Sequence, residues 1–253
     1  DFRYLDPGYY EDAGTAELAL GGGVTDRRNN WQLAARMSAA GGLAYNRRGL
    51  SDATGRADLD PFYGRVTLEA TARQSAAARW RMGLRFFGGL SSSGDDPVKQ
   101  RQIYAAGQDP LEQFGNPFLR SNGALLVRPD VFYHAAGGGN LRGFDPHLSA
   151  QGLVAINVEL ERAVVNRPQA RLFRRVALAS FGDAGELFGD AGQYRFLIDL
   201  GLGLRAEHQI GETSFVTRAD FPLFVNQPDL AQDTHPGSDR AGFRWSFSFT
   251  PAF

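Results

Sequence analysis

Strict alternation of apolar and polar residues, repeated along most of the chain, is the feature that most narrows what it can fold into. A β-strand points successive side chains to opposite sides, so a period of two marks a strand whose faces meet different surroundings. In GLVAINVELERA, Val154, Ile156, Val158 and Leu160 share one face, while Asn157, Glu159 and Glu161 share the other. In FLIDLGLGLRAEH, Ile198, Leu200, Leu202 and Leu204 oppose Asp199, Arg205 and Glu207. RWRMGLRFF sets Trp80, Met82, Leu84 and Phe86 against Arg79, Arg81 and Arg85, and GRVTLEATAR sets Val66 and Leu68 against Arg65, Glu69 and Arg73. In FRWSFSFTPAF, Phe243, Trp245, Phe247, Phe249 and Phe253 oppose Arg244, Ser246, Ser248 and Thr250. With NWQLAARMSA, AELALGGG, RRVALASFGDAG and TSFVTRADFPLF the set comes to about nine strands.

Charges in mid-strand decide between fold classes. Arg, Glu and Asp there must be wet or fully paired, because burying an isolated charge is costly. The opposite faces are apolar, with aromatics toward the strand ends. A soluble two-layer sandwich also alternates, but its strands usually run about five or six residues. These runs are about ten residues long, enough for a tilted strand to cross a bilayer. The expected fold class is therefore all-β, a transmembrane antiparallel β-barrel. No run of about 18 apolar residues is present to form a transmembrane helix. The absence of cysteine suits passage through an oxidising periplasm. A formal net charge of −1 supplies no basic field for nucleic acid.

Links between the strands carry a direction. TDRRNN, SAAA, NRPQA and QIGE are short, and they alternate with NRRGLSDATGRADLDP, the stretch of about 90–150, GELFGDAGQY and NQPDLAQDTHPGSDRAG. Outer-membrane barrels have short periplasmic turns and long extracellular loops. The last strand then runs from outside to periplasm. Counted back, the first clear strand, about 15–24, runs the same way. Either DFRYLDPGYY hides a short upward strand, or the nine strands are the C-terminal part of a larger barrel of up to about 16 strands. Residues 1–253 form one barrel domain on this reading, with 90–150 as an extracellular loop folded into its lumen.

That longest link ends in GGGNLRGF, residues 137–144. VELE (158–161) lies on the next strand and SFGDAG (180–185) on the one after, and five strands follow the loop. In order and spacing these resemble the arginine–glycine–aromatic loop motif, the inward glutamate and the F-x-D-x-G motif of the BamA/TamA/FhaC-type outer-membrane assembly and secretion superfamily, the bacterial surface antigen family. Trp245, Phe247, Phe249 and the terminal Phe253 resemble an outer-membrane targeting signal. The resemblance covers about residues 137–253; upstream it rests on strand pattern alone. It implies a loop locked inside the barrel by Arg142, Gly143, Phe144, Glu159, Phe181, Asp183 and Gly185.

The chemistry of those residues is consistent with a lock. By alternation Glu159, Phe181 and Asp183 face inward, and two carboxylates on neighbouring strands repel unless a cation lies between them. Arg142, delivered by the loop, offers a guanidinium fork for that place. Gly143 permits the tight turn that presents it, Phe144 packs the tip, and the glycine triplet acts as a flexible approach. Taken singly, Asp183-Ala184-Gly185 reads equally well as a turn at a strand end, and Arg142 as a surface arginine.

The sequence has no HExxH, GxSxG or GxxxxGK[ST] motif. His134, His147, His208 and His235 are far apart. No catalytic residue, cofactor or metal site is expected. The resemblance implies assembly, insertion or translocation of proteins at the bacterial outer membrane, with outer-membrane lipid, lipopolysaccharide and client or complex proteins as partners, and no nucleic acid. Relatives of this kind also carry enzymes on their barrels. A membrane anchor for an upstream periplasmic or surface hydrolase or peptidase, or a structural subunit of an envelope complex, are the alternative readings.

Overall fold

A computed structural model of the chain describes residues 12–48, 62–77, 79–93, 101–106, 138–145, 147–170, 172–189, 195–231 and 239–251. Their regular structure is β-strand, with a 3-10 turn at Pro228–Leu230. The long strands are β1 (Asp12–Arg28), β2 (Trp31–Arg48), β3 (Phe62–Ala77), β4 (Trp80–Ser93), β7 (Gly152–Asn166), β8 (Arg175–Phe188), β9 (Arg195–Ile210) and β10 (Thr213–Val225), followed by a shorter β11 (Ser246–Pro251). They pair in chain order, antiparallel throughout, as one nine-stranded sheet. Within the β4–β7 link, β5 (Ile103–Tyr104) and β6 (Ser149–Ala150) form a separate two-stranded ladder.

Two-residue periodicity separates the faces as the sequence requires. Val154, Ile156, Val158 and Leu160 of β7 are exposed, as are Leu200, Leu202 and Leu204 of β9 and Trp80, Met82 and Leu84 of β4. Their polar neighbours turn the other way, and many of those are buried: Asn157, Asp183, Asp199, Arg205, Asp220, Ser246 and Ser248. Neighbouring strands lie about 4.8 Å apart, so β4 and β9 would stand roughly 14 Å apart in a flat sheet. Yet Arg81 of β4 ion-pairs with Glu207 of β9, and Arg218 of β10 reaches Glu159 of β7 at 2.7 Å. The sheet therefore curls, with its polar face concave. Among the described residues β1 and β11 are the two ends of this sheet, and no ladder joins them.

Strand lengths depart from the sequence reading. The eight long strands run from 13 to 18 residues, beyond the apolar belts that marked them. The strict alternation of short and long links also fails at one place. Link 167–174 is longer than link 189–194, because β8 continues past SFGDAG to Phe188. Its extension is held on both sides, by Gly152↔Phe188 to β7 and Leu187↔Arg195 to β9, and Leu187 is buried. Asp183, Ala184 and Gly185 consequently lie within a strand and form no turn. DFRYLDPGYY and Phe253 lie outside the described residues, as does the 107–137 part of the long link.

Candidate functional site

At the loop end of the concave face the long link folds back onto the sheet and builds an apolar core. Leu141 and Phe144 pack with Ile103, Ala105 and Ala106 from the link, Phe87 from β4, Leu153 and Ala155 from β7, and Leu187, Leu197, Val225 and Ala231 beyond. Backbone hydrogen bonds fix the register of the two link segments: Gly139 N–H donates to Tyr104 O at 3.0 Å and Leu141 N–H to Ala105 O at 2.9 Å. Asp145 N–H donates to Leu230 O at 2.9 Å, and Phe144 bridges Ala231.

The glycines in this segment are fitted closely, in contrast to the flexible approach read from the sequence; Gly137 itself is outside the described residues. Gly138 has φ +49°, in the left-handed region, and Asn140 follows at +52°. A Cβ on Gly139 would stand 2.5 Å from Ala105 O. Gly143 sits in a turn but with no positive φ. Close approach is what requires glycine there, since a Cβ would meet Val225 Cγ1 at 2.7 Å and Asp199 Cβ at 2.8 Å.

Beneath this core Arg142 is 1% exposed and spends every side-chain nitrogen on a carboxylate. Nε and Nη2 donate to Asp183 Oδ2 and Oδ1, each at 2.8 Å, a bidentate fork. Nη1 donates to Glu159 Oε2 at 2.7 Å and Asp220 Oδ1 at 3.2 Å. The guanidinium lies over the Phe181 ring, 3.6 Å from its centroid, a cation–π contact that protects it from water. Burial disfavours the cation, but Asp183, Asp220 and Glu159 outweigh it and hold the Arg142 pKa well above its ordinary range.

Two further arginines complete the cluster. Arg205 of β9 forks onto Glu159 at 2.9 and 2.6 Å and donates to Asp220 at 2.6 Å; Arg218 of β10 donates to Glu159 at 2.7 Å. Asn157 of β7 donates to Asp183 Oδ1 at 3.1 Å and to the carbonyls of Gly139 and Asn140. Arg85 of β4 ties Gly138 O at 2.7 Å to Asn157 and to Glu69 of β3. The bonds thus run without a break from β3 to β10, with the loop at their centre. A second fastening lies on the far side, where Arg101 ion-pairs with Glu17 of β1 and Glu17 accepts from Tyr63 of β3 at 2.8 Å.

The structure brings together Arg142, Glu159, Phe181 and Asp183, with Gly143 and Phe144 packed above and Gly185 buried beside Leu141. One premise about them needs correcting. Glu159 faces Phe181 across the β7–β8 ladder and Asp183 faces Asn157, so the two carboxylates are diagonal neighbours. The carboxylate directly opposite Asp183 is Asp199 of β9, fully buried, with neither oxygen hydrogen-bonded among the described residues. The roles of Arg205, Arg218, Asp199 and Asp220 were missed. All four lie in alternating segments, but what joins them is the curl of the sheet, which no local pattern encodes. Trp245 is exposed beside buried Arg244 and Ser246, as alternation places it, and Phe247 follows on β11. The Phe249 backbone pairs with Thr217; its side chain, like Phe253, is outside the described residues.

The arrangement can hold a loop. Comparison of the chain with protein-family models and with curated proteins finds no match to either.

Proposed function

We propose that the chain is the wall of an outer-membrane β-barrel and that it serves the assembly or translocation of proteins there, with the Arg142 loop locked in its lumen. The observation that carries this reading is the inverted distribution of polarity. Exposed leucine, valine, isoleucine and aromatic side chains look outward from the long strands, while Asp183, Asp199, Arg205 and Asp220 are buried on the opposite face. Soluble monomers rarely expose contiguous apolar patches of more than a few hundred Å².

Aromatics rim that face at both ends, as interfacial girdles do. Trp31, Trp80 and Phe173 lie toward one end of the strands, and Tyr45, Phe62, Phe196, Phe224 and Phe243 toward the other. From Trp31 to Tyr45 on β2, at about 3.3 Å per residue, is roughly 46 Å, which a tilt of about 45° reduces to roughly 33 Å. That matches a hydrocarbon core with its interfaces.

The likeness of GGGNLRGF, VELE and SFGDAG to assembly barrels supplies the activity. An edge strand suits it, since unpaired backbone groups template an incoming strand. Among the described residues β11 pairs with Phe215–Asp220 of β10, and the segment before it returns to β10 at Phe224↔Ala241. The test is reconstitution of the full chain in phospholipid vesicles, followed by folding of a urea-denatured outer-membrane barrel client, read by its heat-modifiable gel mobility. Faster client folding than in empty vesicles is the expected result. Insertion of the chain with no acceleration overturns the assembly role and leaves the anchoring one.

A further inference from the structure

Where the outward face ends beside the β3–β4 turn, an arginine stands among the apolar side chains. Arg162 of β7 is opposite Trp80 of β4 in the ladder. It is exposed, and its guanidinium lies over the Trp80 ring, 5.5 Å from the centroid. This cation–π contact uses the face of the guanidinium and leaves its charge without a counter-charge. Arg79, in the turn before Trp80, is also exposed, and its carbonyl accepts from Ala163 N–H at 2.7 Å, which sets it beside Arg162. Among the described residues neither arginine side chain has a carboxylate partner.

The carboxylates nearest in register are turned away. Glu161 and Glu159, opposite Arg81 and Gly83, line the cavity on the concave face, where Arg175 holds Glu161 and the lock holds Glu159. The link after β7, RPQARLFR, contributes three arginines and no acid. Val164, Leu172 and Phe173 are exposed at the same end. A second tryptophan supplies the comparison. Arg28 of β1 is opposite Trp31 of β2, but Asp26 pairs with it at 2.7 Å. One end of the sheet thus carries two Trp–Arg pairs, the first neutralised within the protein and the second not.

We propose that the rim formed by Arg79, Arg162 and Trp80 is a binding site for the headgroup of an anionic phospholipid. The inference rests on the outward face meeting a bilayer, and it names the lipid selected there. Indole rings favour the interfacial layer, which sets both guanidiniums near the depth of the phosphates. Arginine stems lie along apolar surface and carry the charge outward to that layer. Planar guanidinium forks then take phosphate oxygens in pairs. A headgroup of net negative charge supplies the balance that the protein lacks here, whereas a zwitterionic one brings its own cation. Each arginine near such a surface gives roughly a fivefold preference.

The test uses the full chain folded in phosphatidylcholine vesicles, in two single-tryptophan forms. Trp31→Phe with Trp245→Phe keeps Trp80, and Trp80→Phe with Trp245→Phe keeps Trp31. Each is titrated with phosphatidylglycerol or phosphatidylcholine brominated close to the headgroup. Brominated phosphatidylglycerol should quench Trp80 at an at least about fivefold lower fraction than brominated phosphatidylcholine does, while Trp31 responds about equally to both. Arg79→Gln with Arg162→Gln should abolish the preference at Trp80. Independently of that variant, salt at about 1 M, where the screening length is about 3 Å, should reduce the preference with both arginines in place. Quenching of Trp80 by both lipids without preference, an equal preference at Trp31, or a preference untouched by salt overturns the site and leaves the chain in the membrane. Quenching by neither lipid overturns the membrane reading, and the site with it.

Discussion

Arg142 ties the loop to carboxylates on three strands, and its surroundings set the size of the effect of losing it. Three guanidiniums (Arg142, Arg205 and Arg218) face Glu159, Asp183 and Asp220, so the inner cluster is balanced. Truncating one member of a buried ion cluster leaves its partners uncompensated, at a cost of about 3–5 kcal/mol. Arg142→Ala should therefore lower the heat-unfolding midpoint of the folded chain markedly, since Asp183 would keep no cation. Asp199 makes the contrasting case. It is a fourth buried carboxylate, opposite Asp183, and no arginine pairs with it. Asp199→Asn keeps the shape and takes no carboxylate partner from Arg142, so it should leave the midpoint unchanged or raise it, whereas Asp183→Asn should lower it. A loss of stability on Asp199→Asn equal to that on Asp183→Asn would show that the cluster depends on the Asp199 carboxyl and that this accounting is wrong.

At the scale of the strand, the alternation made the faces legible and left the ends obscure. Leu200, Leu202 and Leu204 against Asp199 and Arg205 could be assigned to opposite sides from residue order alone, because the period of two is a property of the backbone. The ends of β8 could not, because GELF has no alternation of its own and is drawn into the sheet by ladders to β7 and β9. The lock was legible in part: Arg142, Glu159 and Asp183 stand on adjacent elements. Asp220 lies two strands beyond Asp183 and became visible as a partner only once the sheet curled. Whether the outward face meets lipid or water is testable on a single strand. In water, replacing exposed Leu202 of β9 by arginine should shift stability by no more than about 0.5 kcal/mol. In a bilayer, an arginine at mid-belt costs about 2–4 kcal/mol. Leu202→Arg is therefore expected to be silent in detergent-free buffer if the face is solvated, and to depress folding in vesicles strongly if it meets hydrocarbon. Urea titration of vesicle-embedded chain distinguishes the two.

For the whole molecule, the outward belt and the concave charge cluster make opposite demands on the surroundings. The cluster is internally paired and needs no particular environment, whereas the belt leaves large apolar side chains uncovered on every long strand. Tryptophan reports on which environment covers it. Trp31, Trp80 and Trp245 are all on the outward side, 38%, 39% and 37% exposed, and no tryptophan faces the concave side. Trp31 and Trp80 open their strands beside the tight turns. Trp245 precedes β11 at the other end, where it follows exposed Phe243. Intrinsic fluorescence therefore samples both rims of the belt and nothing else. In vesicles of phospholipid brominated close to the headgroup, most of the emission should be quenched, because indole rings favour the interfacial layer. Bromines near the chain ends should quench less, since both groups of tryptophans stand away from the mid-belt. Emission untouched by either lipid would mean that another protein surface covers the belt, or that water does, and the barrel reading would fail with it. Quenching strongest from the deepest bromines would keep the chain in the membrane and displace the girdles from the interface, which the 14-residue separation of Trp31 and Tyr45 along β2 does not allow.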